Sequence, residues 1–173
     1  MSDIAANIAK IQQDVNDIAK EVGRNSGSVN IVAVSKRQPL DKIKSALDAG
    51  HRLFGENKVQ EAYEHWQDLK PLYSDLRLHL IGPLQTNKVK KAVSLFDCIE
   101  TVDSEKLAVK LSNEMNKQNR HLPCFIQVNT GEEEQKSGIM PLALENFYRF
   151  CCDETDLNVT GLMCIPPFDE PAA

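Results

Sequence analysis

Short apolar runs alternate with helix-like stretches along this chain, and that alternation constrains its fold more than any other feature. The runs have the length of buried strands, and they are Ile31–Ser35, Arg52–Phe54, Leu76–Ile81, Phe96–Val102, Cys124–Asn129 and Asn158–Ile165. The stretches between them with helical spacing are Pro39–Ala49, Lys58–Leu69, Asn87–Leu95, Ser104–Asn119 and Pro141–Cys152. Strands that alternate with helices form parallel βαβ units with right-handed crossovers, so the sequence predicts an α/β protein.

A further helix is predicted before the first strand. Isoleucine and valine recur at steps of three and four from Ile4 to Val22, Ser2 or Asp3 can cap the start, and Gly23 can end it. Only about three heptads are available for a coiled coil. Packing against the body of the same domain is therefore favoured.

Two architectures fit this alternation, an open doubly wound sheet and a (β/α)8 TIM-type barrel. Both bind ligands at the carboxyl ends of their strands. Here polar residues follow several different strands, at Lys36, Glu56–Asn57, Gly82–Asn87 and Asn129. That distribution favours the barrel, because an open sheet concentrates its chemistry at one switch point. Six strands instead of eight predict a single domain over residues 1–173, truncated to about six βα units.

Composition narrows the classes of function. The net charge of -5 argues against general binding of nucleic acids or anionic membranes. No apolar run reaches the roughly 20 residues of a membrane span, and the amino terminus lacks a signal-peptide core, so we expect a cytoplasmic protein. Five cysteines without a CxxC pair predict reduced thiols, and four scattered histidines give little support to a metal site.

Lys36 directly follows the first strand-like run and is the leading candidate for chemistry. An amine partly shielded there would favour its neutral form, which condenses with an aldehyde such as that of pyridoxal phosphate. The alternative is a lysine that ends a strand in solvent. Asn57 is either a ligand contact or a helix cap. Ile81 can press against a flat ring, and Lys136 is either a second amine near the site or part of a solvated loop.

These segments together carry a specific resemblance. The motifs AVSK at 33–36, FGEN at 54–57, HLIGPLQTNK at 79–88, KSG at 136–138 and GLMCIPP at 161–167 occur in order, at the predicted strand ends. The chain resembles the pyridoxal-phosphate homeostasis proteins, the YggS/PROSC-like family related to the barrel domain of alanine racemase. The resemblance implies a (β/α)8 barrel with an extra amino-terminal helix.

The resemblance also implies a function and a set of binding residues. Lys36 matches the lysine that holds pyridoxal 5'-phosphate as a Schiff base, Asn57 and Ile81 match positions lining the cofactor pocket, and Lys136 matches a second lysine near it. The implied role is intracellular vitamin B6 homeostasis, without an established catalytic reaction, in which the cofactor is released to another amine. The resemblance further implies a monomeric family.

The match stops at the carboxyl end. The family continues past GLMCIPP through a helix and two strands whose loops hold the cofactor phosphate, whereas this chain ends at Ala173. We therefore expect a carboxyl-terminally incomplete barrel that binds the cofactor more weakly and self-associates through its exposed edge strands.

Two other functions stay open. The first is an amino-acid racemase of the pyridoxal-phosphate class, which needs a second acid or base across the cofactor. The tyrosines Tyr63, Tyr73 and Tyr148 all lie outside the strand-end motifs, which counts against it. The second is a fragment that binds no cofactor.

Overall fold

The computed structural model describes residues 4–133 and 135–166. Its strands are β1 (Ala33–Val34), β2 (Leu53–Glu56), β3 (Arg77–Leu80), β4 (Cys98–Val102), β5 (Pro123–Val128) and β6 (Asn158–Cys164). Its helices are α1 (Ile4–Glu21), α2 (Leu40–Asp48), α3 (Val59–Trp66), α4 (Val89–Leu95), α5 (Glu105–Gln118) and α6 (Leu144–Glu154). Short 3₁₀ turns lie at Lys70–Leu72, Thr86–Lys88 and Pro141–Ala143.

The six strands form one parallel sheet in the order β1-β2-β3-β4-β5-β6. A right-handed crossover that always advances by one strand places every helix on the same face of the sheet, and consecutive helices from α3 to α6 pack against one another. Sequential order is typical of a (β/α) barrel, whereas a doubly wound sheet reverses at a switch point. The predicted barrel-type α/β fold with six strands is confirmed for the described residues. In the described ranges β1 and β6 do not pair, so the sheet is open between them.

The hydrophobic core lies between the sheet and its helices. Leu78, Leu80 and Ile99 point from the middle strands into this core and are fully buried, together with Trp66 of α3. Because strand side chains alternate, the residues between them point to the opposite face, which we call the inner face. The register pairs Gly55 with His79 on this inner face.

Helix α1 confirms the first periodic pattern. Its Ile4 and Ile8 pack against the core, and the helix lies against α2, so it packs on its own domain. Ile18 and Val22 remain exposed. The predicted caps Ser2 and Asp3 lie outside the described residues. In the part of the chain that the structure describes, no helix is long and apolar enough to cross a membrane.

Several boundaries differ from the predicted ones. β1 comprises only Ala33–Val34 of the predicted Ile31–Ser35, because it pairs with one neighbour, β2. β2 runs two residues further than predicted, to Glu56, because Gly55 and Glu56 pair with β3. Pro167, which ends the GLMCIPP motif, and the last residues of the chain lie outside the described residues. The expected incompleteness of the barrel stays a prediction.

Candidate functional site

Lys36 stands at the corner of a tight turn beyond β1. The Ser35 N–H donates to the Gly55 carbonyl at 3.0 Å, and the Gln38 N–H donates to the Ser35 carbonyl at 3.1 Å, which closes the turn. Arg37 has a φ of 57°. A positive φ at the third turn position is typical of a type II turn, where glycine is usual, and it costs a non-glycine residue about 1–3 kcal/mol. The surrounding contacts must therefore hold this turn in place.

The Lys36 side chain is exposed, and its ammonium makes no hydrogen bond or ion pair with any described residue. The expectation that Lys36 is partly shielded from water is wrong, because the strand before it lies at the edge of the sheet and has one neighbour. An amine in this position is accessible to a ligand.

Beneath the turn, a buried carboxylate holds Ser35. Glu56 is fully buried, and its Oε1 accepts hydrogen bonds from Ser35 Oγ at 2.7 Å, His65 Nδ1 at 2.8 Å and Trp66 Nε1 at 3.1 Å. A buried carboxylate requires such donors to replace its hydration. Sequence reasoning missed this role, although an acidic residue that ends a buried strand was a signal for it.

A second carboxylate holds the other side of the turn. Glu61, in the first turn of α3, accepts the backbone N–H of Arg37. Lys36 therefore lies between two residues that are each bonded to a carboxylate of the β2–α3 unit. The sequence does not show this pairing, because Arg37 and Glu61 are 24 residues apart.

Asn57 and Ile81 directly follow β2 and β3, whose last residues Glu56 and Leu80 pair with each other. A side chain at Gly82 would approach the Asn57 carbonyl oxygen to 2.3 Å, so only glycine allows this contact. Likewise, a side chain at Gly55 would meet Ile81 Cδ1 at 2.9 Å. Asn57 does not cap α3, whose cap position is Lys58 without a side-chain hydrogen bond. The Asn57 Oδ1 is buried and has no partner in the described structure.

The loop after β5 folds back onto its own strand. The Asn129 N–H donates to the Ile139 carbonyl at 2.9 Å, and Gly138, with a φ of 122°, passes directly beside the Asn129 backbone. Lys136 lies in this loop and forms an ion pair with Glu133 at 2.5 Å. Lys136 is thus held at the carboxyl end of β5.

A cavity of about 230 Å³ opens at these strand ends. Ile81 and Lys136 both line it, with Gln127, Asn129 and Ile165 among its other walls. The structure therefore brings two of the four predicted site residues into one cavity. Asn57 reaches the same strand ends through the Gly82 contact, whereas Lys36 is outside the cavity lining.

On the inner face, His79 Nδ1 and Glu100 Oε1 lie 2.6 Å apart on neighbouring strands, with Cys98 beside them. Burial raises the pKa of the Cys98 thiol to about 12, so the thiol stays protonated at neutral pH. A separation of 2.6 Å is a hydrogen-bond distance. The geometry therefore favours a histidine–carboxylate pair over a metal centre.

The tyrosines lie away from the strand ends. Tyr63 contacts Ser94 through its hydroxyl, Arg52 lies over the Tyr73 ring, and Tyr148 is exposed on α6. A racemase that uses tyrosine as its second acid or base is therefore not supported by this arrangement.

Comparison with known proteins first defines the class. The family described as "Alanine racemase, N-terminal domain" matches residues 4–172. A solved alanine racemase from Clostridium difficile 630 superposes with a TM-score of 0.64 at 12% identity, over 87% of this chain and 39% of that one, and shares the fold. The domain is thus of the alanine-racemase amino-terminal type.

More similar relatives identify the family. The pyridoxal phosphate homeostasis protein of Haemophilus influenzae is 38% identical over 163 residues, which cover 94% of this chain and 69% of that protein. The structure of PipY from Synechococcus elongatus with pyridoxal phosphate bound superposes with a TM-score of 0.75 at 34% identity, over 90% of this chain and 72% of that one. The chain belongs to the pyridoxal phosphate homeostasis protein family, and the resemblance drawn from its motifs is confirmed.

Proposed function

We propose that this chain binds pyridoxal 5'-phosphate on Lys36 and serves the intracellular homeostasis of vitamin B6, a role without an established catalytic reaction. The observation that carries the proposal is the exposed, unpaired Lys36 amine at the carboxyl end of β1. It lies in a chain 34% identical to a protein whose structure holds that cofactor.

The residues at the strand ends fit such a ligand. The buried acceptors Asn57 Oδ1 and Gln127 Oε1 have no partner in the described ranges, and a polar ligand would supply the missing hydrogen bonds. Ile81 offers an apolar surface to a flat ring. Lys136 lines the same cavity, where its ammonium is ion-paired with Glu133 and offers further N–H donors to a phosphate.

When bound, pyridoxal phosphate supplies an aldehyde that reacts reversibly with amines. Lys36 would hold the cofactor through its side-chain amine, and a second amine would take the cofactor over by exchange with Lys36. Lys36 would therefore store the cofactor in protected form and release it to an acceptor.

We also propose a cellular location and a state of association for the chain. A cytoplasmic location is consistent with the free cysteines, of which Cys98, Cys124 and Cys151 are buried. Self-association would occur through β1 and β6, each of which has one strand neighbour in the described sheet. Sedimentation of the purified chain over a range of concentrations tests the self-association, and a single monomeric species would refute it.

The test of cofactor binding uses the full chain mixed with pyridoxal phosphate. Borohydride reduction fixes the attached cofactor, and peptide mass spectrometry locates it. We expect attachment at Lys36, loss of that attachment in Lys36→Ala, and normal attachment in the control Lys44→Ala, which removes an exposed lysine of α2. Because Lys36 is exposed, its replacement leaves the fold intact. Equal labelling of Lys36→Ala and the parent would overturn the proposal.

A further inference from the structure

The turn that carries Lys36 is supported on both sides by acidic residues from the next βα unit. Glu56 ends β2 and contacts Ser35, and Glu61 begins α3 and contacts Arg37. We call Glu56 and Glu61 the flanking carboxylates. We propose that they are positioning residues, which hold the Lys36 backbone in place so that its amine can reach the cofactor. This inference rests on the proposed function.

On the amino side of Lys36, the support is buried. Ser35 is almost completely buried, its N–H is bonded to Gly55, and its hydroxyl donates to Glu56 at 2.7 Å. His65 and Trp66 donate to the same Glu56 oxygen, so α3 fixes the carboxylate that receives Ser35. Ser35 is therefore coupled to both β2 and α3.

On the carboxyl side, the support acts on a strained residue. Arg37 has a φ of 57°, a conformation that a non-glycine residue keeps only when its surroundings hold it there. The contact that does so is its backbone N–H, which donates to the Glu61 carboxylate. Without this acceptor, the Arg37 backbone would relax to a negative φ, and Lys36 would leave its position at the turn corner.

Between these supports the Lys36 amine itself is unpaired. A fixed backbone with a free amine is the arrangement expected of a reactive group that must meet its ligand in one orientation. The flanking carboxylates thus restrict the position of Lys36 without bonding to the nitrogen that reacts.

The experiment compares three variants of α3 in the full chain. Glu61→Ala removes the acceptor, Glu61→Gln keeps an acceptor oxygen but removes the charge, and Glu64→Ala removes an exposed carboxylate from the same helix. The first readout is amide hydrogen exchange at Arg37, which needs no cofactor. The second is the rate and affinity of pyridoxal phosphate attachment to Lys36, fixed by borohydride.

We expect Glu61→Ala to speed exchange at Arg37 and to weaken cofactor attachment about tenfold, the effect of losing one hydrogen bond to a charged group. Glu61→Gln should retain most of the protection from exchange at Arg37 and most of the cofactor attachment. Glu64→Ala should match the parent in both readouts. Arg37→Gly supplies a second variant, because glycine adopts a positive φ without help. In the Arg37→Gly background, Glu61→Ala should weaken cofactor attachment by far less than tenfold.

The outcomes separate this inference from the proposed function. If the parent does not attach the cofactor at Lys36, the proposed function fails, and the inference fails with it. If the parent attaches it and Glu61→Ala attaches it as fast and as tightly as Glu64→Ala, the positioning role alone is overturned. An undiminished tenfold loss in the Arg37→Gly background would likewise overturn it, because Glu61 would then act by another route.

Discussion

The middle and the edges of the sheet are built from similar residues but have different surroundings. In the middle, Leu78 of β3 is 0% exposed, because helices cover one side and strands pair with it on both flanks. At the edge, Leu162 of β6 is 57% exposed, although it occupies the equivalent core-facing register beside β5. The middle therefore supplies stability, while the edge strand β1 leads into the turn with Lys36, the lysine proposed to bind the cofactor. Stability and the proposed chemistry are located in different parts of the fold.

The cysteines give the largest expected difference between these regions. Cys98 and Cys124 are buried in β4 and β5, whereas Cys164 is exposed in β6. A disulfide reagent at pH 8 should modify Cys164 rapidly and the two middle thiols about 1,000-fold or more slowly, because they react only when the core opens. Mass spectrometry of modified peptides over time measures the rates. Comparable rates at Cys124 and Cys164 would contradict the distinction between middle and edge.

A matched pair of leucine substitutions measures the same difference as stability. Leu78→Ala should lower the free energy of unfolding by about 2–5 kcal/mol, since it leaves a cavity in a closed core. Leu162→Ala should lower it by less than about 1 kcal/mol, since this side chain is mostly in water already. Urea unfolding followed by circular dichroism gives both values. The comparison is refuted if the two variants lose the same stability.

The smallest expected effect is the change of folding stability between pH 8 and pH 10. Burial raises the pKa of the Cys124 thiol from 9.0 to about 12, so the folded chain retains a proton that the unfolded chain releases. The contribution of this thiol to the free energy of unfolding therefore has its full value below pH 9. It decreases between pH 9 and pH 12, by up to about 1.4 kcal/mol per pH unit.

Urea unfolding at pH 8, 9 and 10 measures this slope. Cys124→Ala should reduce the slope, and Cys164→Ala, which removes an exposed thiol, should leave it unchanged. An identical slope in the parent and in Cys124→Ala would show that this thiol does not control the decrease.

The sequence alone determined the elements and their order. Periodicities of two and of three to four residues are local properties, so all six strands, the helices between them and α1 were predicted with errors of one to three residues at most ends. The strand-end motifs also determined the family, and they predicted that Ile81 and Lys136 lie near one another.

Only the tertiary structure decided which side chains support one another. The contacts of Ser35 with Glu56 and of Arg37 with Glu61 join residues 21 and 24 positions apart, and no local pattern encodes them. The same holds for the exposure of Lys36, because an apolar run has the same composition at the edge of a sheet as in its middle. Pairing in the sheet is a long-range property, and it decides which residues water can reach.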